Sequence, residues 1–289
     1  MHTFFIFLQY LGILILMAEA FYVVGQRPSR QQQYLQYLII SLCTNFTGYL
    51  LELEAATKRE AIMAVKFSYF GKPFIVLCLF LFVMHTCKVK IPKRLEHILF
   101  SIHFLIVVLV LTCEHHTLFY KNISFTQNGL FAHLEMEHGL FYWLYCVMMF
   151  LYAVIMLAVC MAGYCKAKKE ADKKQFGCLL LMVAIALFGY VIYLSGMTGG
   201  YDTTLPACLI DSVLLSVLIF HGGIVDTLTL AKELAMDTLA EGIVVVDIDE
   251  NIIYFNQTAQ QVYHEIAPGR HEKILEDMDA CILDKKKLE

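Results

Sequence analysis

Apolar residues occur along the first 225 positions in seven long blocks separated by short polar connections. A helix of about 20 apolar residues crosses the roughly 30 Å of hydrocarbon in a bilayer. An apolar block of this length is typical of a membrane-spanning helix. The pattern therefore predicts seven spans, at residues 3–25, 34–56, 62–87, 96–113, 139–165, 176–197 and 205–225.

The chain changes character after the seventh block. Residues 227–237 mix charged and apolar positions, and Ile224, Leu228, Ala231 and Ala235 follow a spacing that is typical of a short helical seam. We predict a linker helix here that pairs with its counterpart in a parallel homodimer. The alternative is an amphipathic helix that packs on its own domain.

A small α/β pattern follows the linker. The apolar runs 243–246 and 252–255 are separated by the polar stretch 247–251, which predicts a β-hairpin. Asn256 comes directly after the second strand, where its side chain can cap a helix predicted at 257–264.

The composition supports a membrane protein. The chain is 59% hydrophobic and 17% charged, with a mean hydropathy of +0.63, whereas about a quarter of the residues in a soluble domain are charged. We predict an all-α membrane bundle of seven transmembrane helices in residues 1–226, then the linker helix, then a truncated α/β segment in residues 238–289.

The ten cysteines do not indicate a disulfide framework. Nine of them lie within or at the ends of the apolar blocks, where cysteine acts as a small apolar residue. No CxxC pair occurs, so we expect neither disulfides nor a metal site.

Basic residues in the connections predict the orientation. Alternate connections contain 11 Lys and Arg residues on one side and three on the other, and the richer side faces the cytoplasm. The N-terminus is therefore predicted outside and the C-terminus inside. The long outer connection 114–138 places Asn128-Gly129 between the apolar runs 118–125 and 130–134, which predicts a β-hairpin over the outer mouth, with a mobile loop as the alternative.

Four ionisable side chains within the blocks are candidates for a binding site. Charged residues in a membrane span are costly and usually face the interior of a bundle. Glu52 and Lys66 match in depth and are opposite in charge, which predicts an interhelical pair. Lys72 precedes Pro73, which bends a helix, and this bend would bring Lys72 to Asp211 across the bundle.

We predict that these side chains line a polar pocket open to the outside. The candidate ligand-binding residues are Glu52, Lys66, Lys72, Trp143 and Asp211. The alternative is that the charges form purely structural ion pairs. The sequence identifies no catalytic residue and leaves the cofactor unknown.

Two regions of the chain resemble known families. The segments GYLLELEA at 48–55, AIMAVK at 61–66, YFGKPF at 69–74 and GLFYWLY at 139–145 are similar to the N-terminal seven-helix sensor region of bacterial histidine kinases, over about residues 5–225. The segment EGIVVVDIDENIIYFN at 241–256 resembles the start of a PAS domain. A complete PAS domain is longer than the residues that remain, so we expect a truncated chain.

The resemblance implies a receptor in the bacterial inner membrane. Such a region would pass the signal of an extracellular or intramembrane ligand through the seventh helix to a PAS domain and an output domain, a histidine kinase or a GGDEF-type diguanylate cyclase. These residues contain no catalytic motif of either enzyme. The expected partners are the lipid bilayer, a small-molecule ligand and a second copy of the chain, with no nucleic acid. A small-solute transporter or channel, and a structural membrane anchor, remain alternatives.

Overall fold

The computed structural model describes residues 2–24, 30–126, 133–197, 202, 204–221, 239–246 and 252–262. The chain divides into two compact units, Met1–Val225 and Asp226–Glu289. The helices of the first unit are α1 (His2–Val24), α2 (Arg30–Leu53), α3 (Lys58–Ser68), α4 (Lys72–Thr86), α5 (Lys93–Leu111), α6 (Leu140–Lys166), α7 (Glu170–Leu194) and α8 (Thr204–His221). Two strands, β1 (Tyr120–Thr126) and β2 (His133–His138), follow α5 in the chain.

The first unit is a mostly helical membrane domain. Five of its described segments are long and apolar enough to cross a bilayer, namely α1, the α3–α4 segment, α5, α6 and α7. Large apolar side chains project from them, including Phe21 at 77% and Phe188 at 69% exposure, as expected for surfaces that face lipid. The described apolar part of α8, Thr204–Ile219, is shorter.

α2 is more polar than α1 and α4, and most of its surface is buried against other helices. This helix packs against α1, α3 and α4, and its buried residues include Gln32, Ser41 and Asn45. Buried polar groups need hydrogen-bond partners, and the Ser68 hydroxyl on α3 donates to Asn45 Oδ1 at 2.8 Å. α2 therefore belongs to the interior of the bundle.

The third predicted span is divided into α3 and α4 by a short turn. Thr57 and Glu60 form a capping box that starts α3, and Pro73 lies in the first turn of α4, where its missing N–H is tolerated. A Cβ atom at Gly71 would lie 2.3 Å from the carbonyl oxygen of Ser41, so only glycine lets the turn approach α2 this closely. The bend predicted at Pro73 is thus a complete break.

β1 and β2 form the antiparallel hairpin predicted for this connection. Phe125 pairs with Leu134 in the ladder. Along β2, Leu134 is buried, Glu135 is exposed and Met136 is half-buried, which is the alternation of a strand with one face on the protein. The described part of the second strand begins at His133, and the predicted Asn-Gly turn lies outside the described residues.

The second unit begins with the predicted strand pair and helix. β3 (Val244–Val246) pairs antiparallel with β4 (Ile252–Phe255), and α9 (Gln257–Val262) follows. The linker helix predicted at 227–237 lies outside the described residues, as does the turn between these strands.

Asn256 ties the start of the second unit together. Its Oδ1 accepts hydrogen bonds from the backbone N–H of Ile243 at 2.8 Å and of Ala259 at 2.9 Å. Its Nδ2 donates to the carbonyl oxygen of Glu241 at 2.8 Å. The side chain is fully buried, so the predicted helix cap also joins α9 to the chain before β3.

Candidate functional site

A cavity of about 170 Å³ lies between α2, α4, α6, α7 and α8, with the β-hairpin contributing to its wall. Leucine, valine and methionine side chains make much of this wall. Its charged side chains, among the described residues, are Glu52, Lys72, Asp202 and Asp211. Its tyrosines are Tyr49, Tyr69, Tyr120, Tyr142, Tyr145, Tyr190 and Tyr193.

Lys72 and Asp202 form an ion pair in the wall of the cavity. Lys72 Nζ donates to Asp202 Oδ2 at 2.7 Å and lies 5.8 Å from the centre of the Tyr69 ring. Asp202 also accepts hydrogen bonds from the backbone and side chain of Thr204. Burial opposes ionisation of Asp202, but the charge of Lys72 and these hydrogen bonds keep the pKa of the carboxyl below its usual value.

The predicted pairing of Lys72 with Asp211 is therefore wrong. Lys72 is the first residue of α4, and Asp202 precedes the first turn of α8, whereas Asp211 lies two turns further along α8. The depth of each residue along its predicted span could not show that the connection before α8 places the carboxylate of Asp202 nearer to Lys72.

The predicted pairing of Glu52 with Lys66 is also replaced by another contact. Lys66 Nζ donates to the carboxylate of Glu114, in the connection after α5. This hydrogen bond and the lysine charge lower the pKa of the exposed Glu114 carboxyl. Lys66 does not contribute to the cavity wall described above, because α3 also faces α5 and the hairpin.

Glu52 lines the cavity near the end of α2. Its carboxylate interacts with the charges of Lys72 and Asp202 and with the backbone of Leu134 on β2. The Lys72–Asp202 pair, Glu52 and the hairpin therefore meet in one region of the wall.

Asp211 is the most isolated charged group of the cavity wall. The residue is 8% exposed, and no hydrogen-bond donor among the described residues reaches its Oδ1. A buried carboxylate oxygen without a donor is costly and rare in folded proteins. The geometry thus leaves an acceptor in the wall for a donor that the described chain does not supply.

The base of the hairpin is held by aromatic side chains. The hydroxyl of Tyr120 donates to that of Tyr69 at 2.8 Å. Phe119 packs edge-on against both rings and against Tyr142, with centroids 4.9 to 5.7 Å apart. This cluster fixes the start of β1 beside the break between α3 and α4.

Trp143 lies beside the cavity and not in its wall. The residue is 50% exposed, and its ring packs edge-on against Tyr142 and His138 at centroid distances of 5.9 and 6.0 Å. Tyr142 is buried and lines the cavity instead. Successive residues on a helix point about 100° apart, and the rotation of α6 turns Tyr142 toward the cavity and Trp143 away from it.

Sequence reasoning missed Asp202 and the tyrosines. One usable signal was spacing, because Tyr142 and Tyr145 on α6 and Tyr190 and Tyr193 on α7 are each three positions apart and so share a helix face. No group of three or more His, Cys, Asp or Glu side chains in the described ranges is arranged to hold a metal ion.

Two protein families match successive parts of the chain. Residues 7–228 match the family described as the N-terminal 7TM region of histidine kinase. Residues 232–288 match the PAS domain family. No curated protein matches the chain. The chain is therefore a multi-pass membrane protein of signal transduction that belongs to the family of N-terminal 7TM regions of histidine kinases, with a PAS domain after that region.

Proposed function

We propose that this sensor region binds a small molecule in the cavity and passes the signal through α8 to the PAS domain and to an output domain, a histidine kinase or a diguanylate cyclase. The observation that carries the proposal is the position of Asp211. The residue belongs both to the cavity wall and to the last described helix before the residues that match the PAS family. A ligand that contacts Asp211 acts directly on the helix from which the chain runs on toward the output.

Contacts at two points hold α8 against neighbouring helices, and a bound ligand could strengthen or weaken them. The Lys72–Asp202 pair joins the start of α4 to the residue that precedes α8. Further along the helix, the Ser216 hydroxyl donates to Glu19 Oε1 on α1. A ligand shifts an equilibrium only by its difference in affinity between two states. In this proposal the two states differ in how α8 is seated against α1 and α4.

The proposed topology has seven spans, with the N-terminus outside and the C-terminus in the cytoplasm of a bacterial cell. The excess of basic residues in alternate connections supports this orientation. With it, the hairpin and the cavity lie toward the outside, where an extracellular molecule has access. A linker helix at 227–237 would pair two copies of the chain and transmit a change in the position of α8 to the PAS domain.

The orientation is tested by reporter fusions after Glu289. An alkaline phosphatase fusion should be inactive and a green fluorescent protein fusion should be fluorescent, because the first needs export and the second folds in the cytoplasm. The opposite pair of results contradicts the proposed direction of signalling.

The sensing role is tested with a histidine kinase core fused after Glu289 and autophosphorylation measured in nanodiscs. The compounds are a panel of small amines, alcohols and carboxylic acids. We expect at least one compound to change kinase activity, and Asp211→Asn to shift its half-maximal concentration. The matched control is Glu170→Gln, which removes an exposed carboxylate in the first turn of α7.

Replacing residues 1–225 by an unrelated membrane anchor separates sensing from anchoring. We expect the anchored kinase to lose its response to every active compound. A kinase that keeps its full regulation on the unrelated anchor contradicts a sensing role for the bundle.

A further inference from the structure

The ionisable side chains of the cavity wall are mostly acidic among the described residues. Among its described residues the wall contains the carboxylates of Glu52, Asp202 and Asp211 and a single ammonium group, that of Lys72. Asp202 forms a direct ion pair with this ammonium group at 2.7 Å. Glu52 and Asp211 are therefore left without an ion-pair partner among the described residues, in a site that is largely apolar.

Asp211 marks where a hydrogen-bond donor is needed. More than nine-tenths of the residue is buried, and its Oδ1 has no donor among the described residues. Its surroundings on α8 include Cys208 and Leu215, which line the same cavity. A molecule within the cavity can supply the donor that the described residues do not, and a positively charged donor forms the stronger bond.

The remainder of the wall is suited to an apolar body with a cationic group. Seven tyrosine rings provide aromatic faces and edges, and ring faces attract an ammonium group within about 6 Å. Met149, Met156 and Met182 supply adaptable apolar surface. A cavity of about 170 Å³ is comparable with one of roughly 150 Å³ that binds benzene.

On the basis of the sensing role proposed above, we propose that the ligand is a small organic amine. Its ammonium group donates to Asp211, and its apolar or aromatic body packs against the tyrosine and methionine side chains. An anionic molecule would meet the unmatched carboxylates, since the Lys72 ammonium is already engaged by Asp202. A neutral molecule could offer Asp211 only an uncharged and therefore weaker hydrogen bond.

The test measures binding to the full chain in nanodiscs by isothermal titration calorimetry. The probes are propylamine, phenethylamine and tryptamine, each paired with the alcohol in which a hydroxyl replaces the amino group. We expect at least one amine to bind at least tenfold more tightly than its alcohol. Asp211→Asn should lower the affinity of that amine by roughly 10- to 100-fold, the usual effect of losing a charged hydrogen bond.

Two further variants separate the role of the charge from folding. Asp211→Glu keeps the carboxylate and should retain a preference for the amine over the alcohol. Glu170→Gln removes a distant exposed carboxylate and should leave both affinities unchanged. Thermal unfolding of each variant shows whether the bundle remains intact.

The inference is overturned if no amine of the panel binds more tightly than its alcohol. It is also overturned if a folded Asp211→Asn variant keeps the wild-type affinity for the amine. Either result leaves the sensing role standing when an alcohol or a carboxylic acid regulates the kinase fusion and the anchor replacement removes that regulation. Failure of both the binding test and the anchor replacement rejects the two proposals together.

Discussion

Lys72 and Asp202 are 130 positions apart in the chain, and their side chains meet at 2.7 Å in the cavity wall. The pair joins the break between α3 and α4 to the start of α8. The side chains are 27% and 13% exposed, so water screens the pair only partly. Removing one partner leaves the other charge poorly solvated, which costs more than the pair contributes.

We expect Lys72→Met to lower the free energy of unfolding by roughly 2 kcal/mol because Asp202 loses its charged donor. The measurement is thermal unfolding in detergent, followed by circular dichroism. Lys173→Met, which removes a lysine near the start of α7 from a surface pair, is the matched control and should change little. The Lys72→Met/Asp202→Asn double variant should be more stable than the sum of the single effects predicts, and strict additivity contradicts the pair.

The same pair gives stability a defined dependence on pH. The pKa of Asp202 is lower in the folded chain than in the unfolded chain, where an aspartate titrates near 3.9. As the pH falls, the unfolded state therefore binds the proton first, so the contribution of Asp202 is full above about pH 5 and is lost through the folded-state pKa. Unfolding curves at decreasing pH should show the melting temperatures of wild type and Lys72→Met converging. A difference that stays constant down to about pH 3 contradicts this assignment.

The close approach of α2 and α3 makes Gly48 sensitive to substitution. A Cβ atom there would lie 2.5 Å from Cα of Ser68, so Gly48→Ala must separate the two helices and disturb the Asn45–Ser68 hydrogen bond. We expect a loss of roughly 1–3 kcal/mol in the free energy of unfolding.

Gly177 provides the control for this substitution. A Cβ atom on that α7 glycine would meet nothing nearer than a Tyr164 ring carbon at 3.8 Å. Gly177→Ala should therefore be neutral or stabilise the helix by up to about 1 kcal/mol. Equal effects of the two substitutions would show that the contact between α2 and α3 is not close.

Asn256 should control local stability at the start of the second unit. Its Oδ1 accepts from the N–H groups of Ile243 and Ala259, and Asn256→Ala leaves both without that acceptor. We expect these two amides to exchange hydrogen roughly tenfold faster, because a lost cap costs about 1 kcal/mol or more. Hydrogen exchange in the full chain with mass spectrometry measures this, and unchanged exchange at both amides contradicts the capping role.

The sequence predicted those features that lipid and backbone chemistry impose locally. Described helices overlap each apolar block, with two helices in the third, and five of these segments are long and apolar enough to cross a bilayer. Pro73 indicated the interruption of the third block, because proline cannot donate a backbone hydrogen bond. Asn256 indicated the start of α9, since its side chain can replace a missing helix acceptor.

The partners of the charged side chains could not be predicted in the same way. Lys66 and Lys72 pair with Glu114 and Asp202, which lie in connections whose paths depend on how the helices pack. Trp143 and Tyr142 are adjacent, and only the rotation of α6 decides which ring lines the cavity. Depth and charge identify candidates for a polar site, but tertiary packing selects which of them meet.

The enclosure of α2 by α1, α3 and α4 has a consequence for how the protein is made. With the proposed seven spans, α2 enters the bilayer although its buried face contains Ser41 and Asn45, which hydrocarbon disfavours. Those groups become acceptable only when neighbouring helices shield them and Ser68 reaches Asn45. Insertion by the translocation machinery should therefore be cooperative, with the second helix committed to the bilayer only after the third emerges from the ribosome.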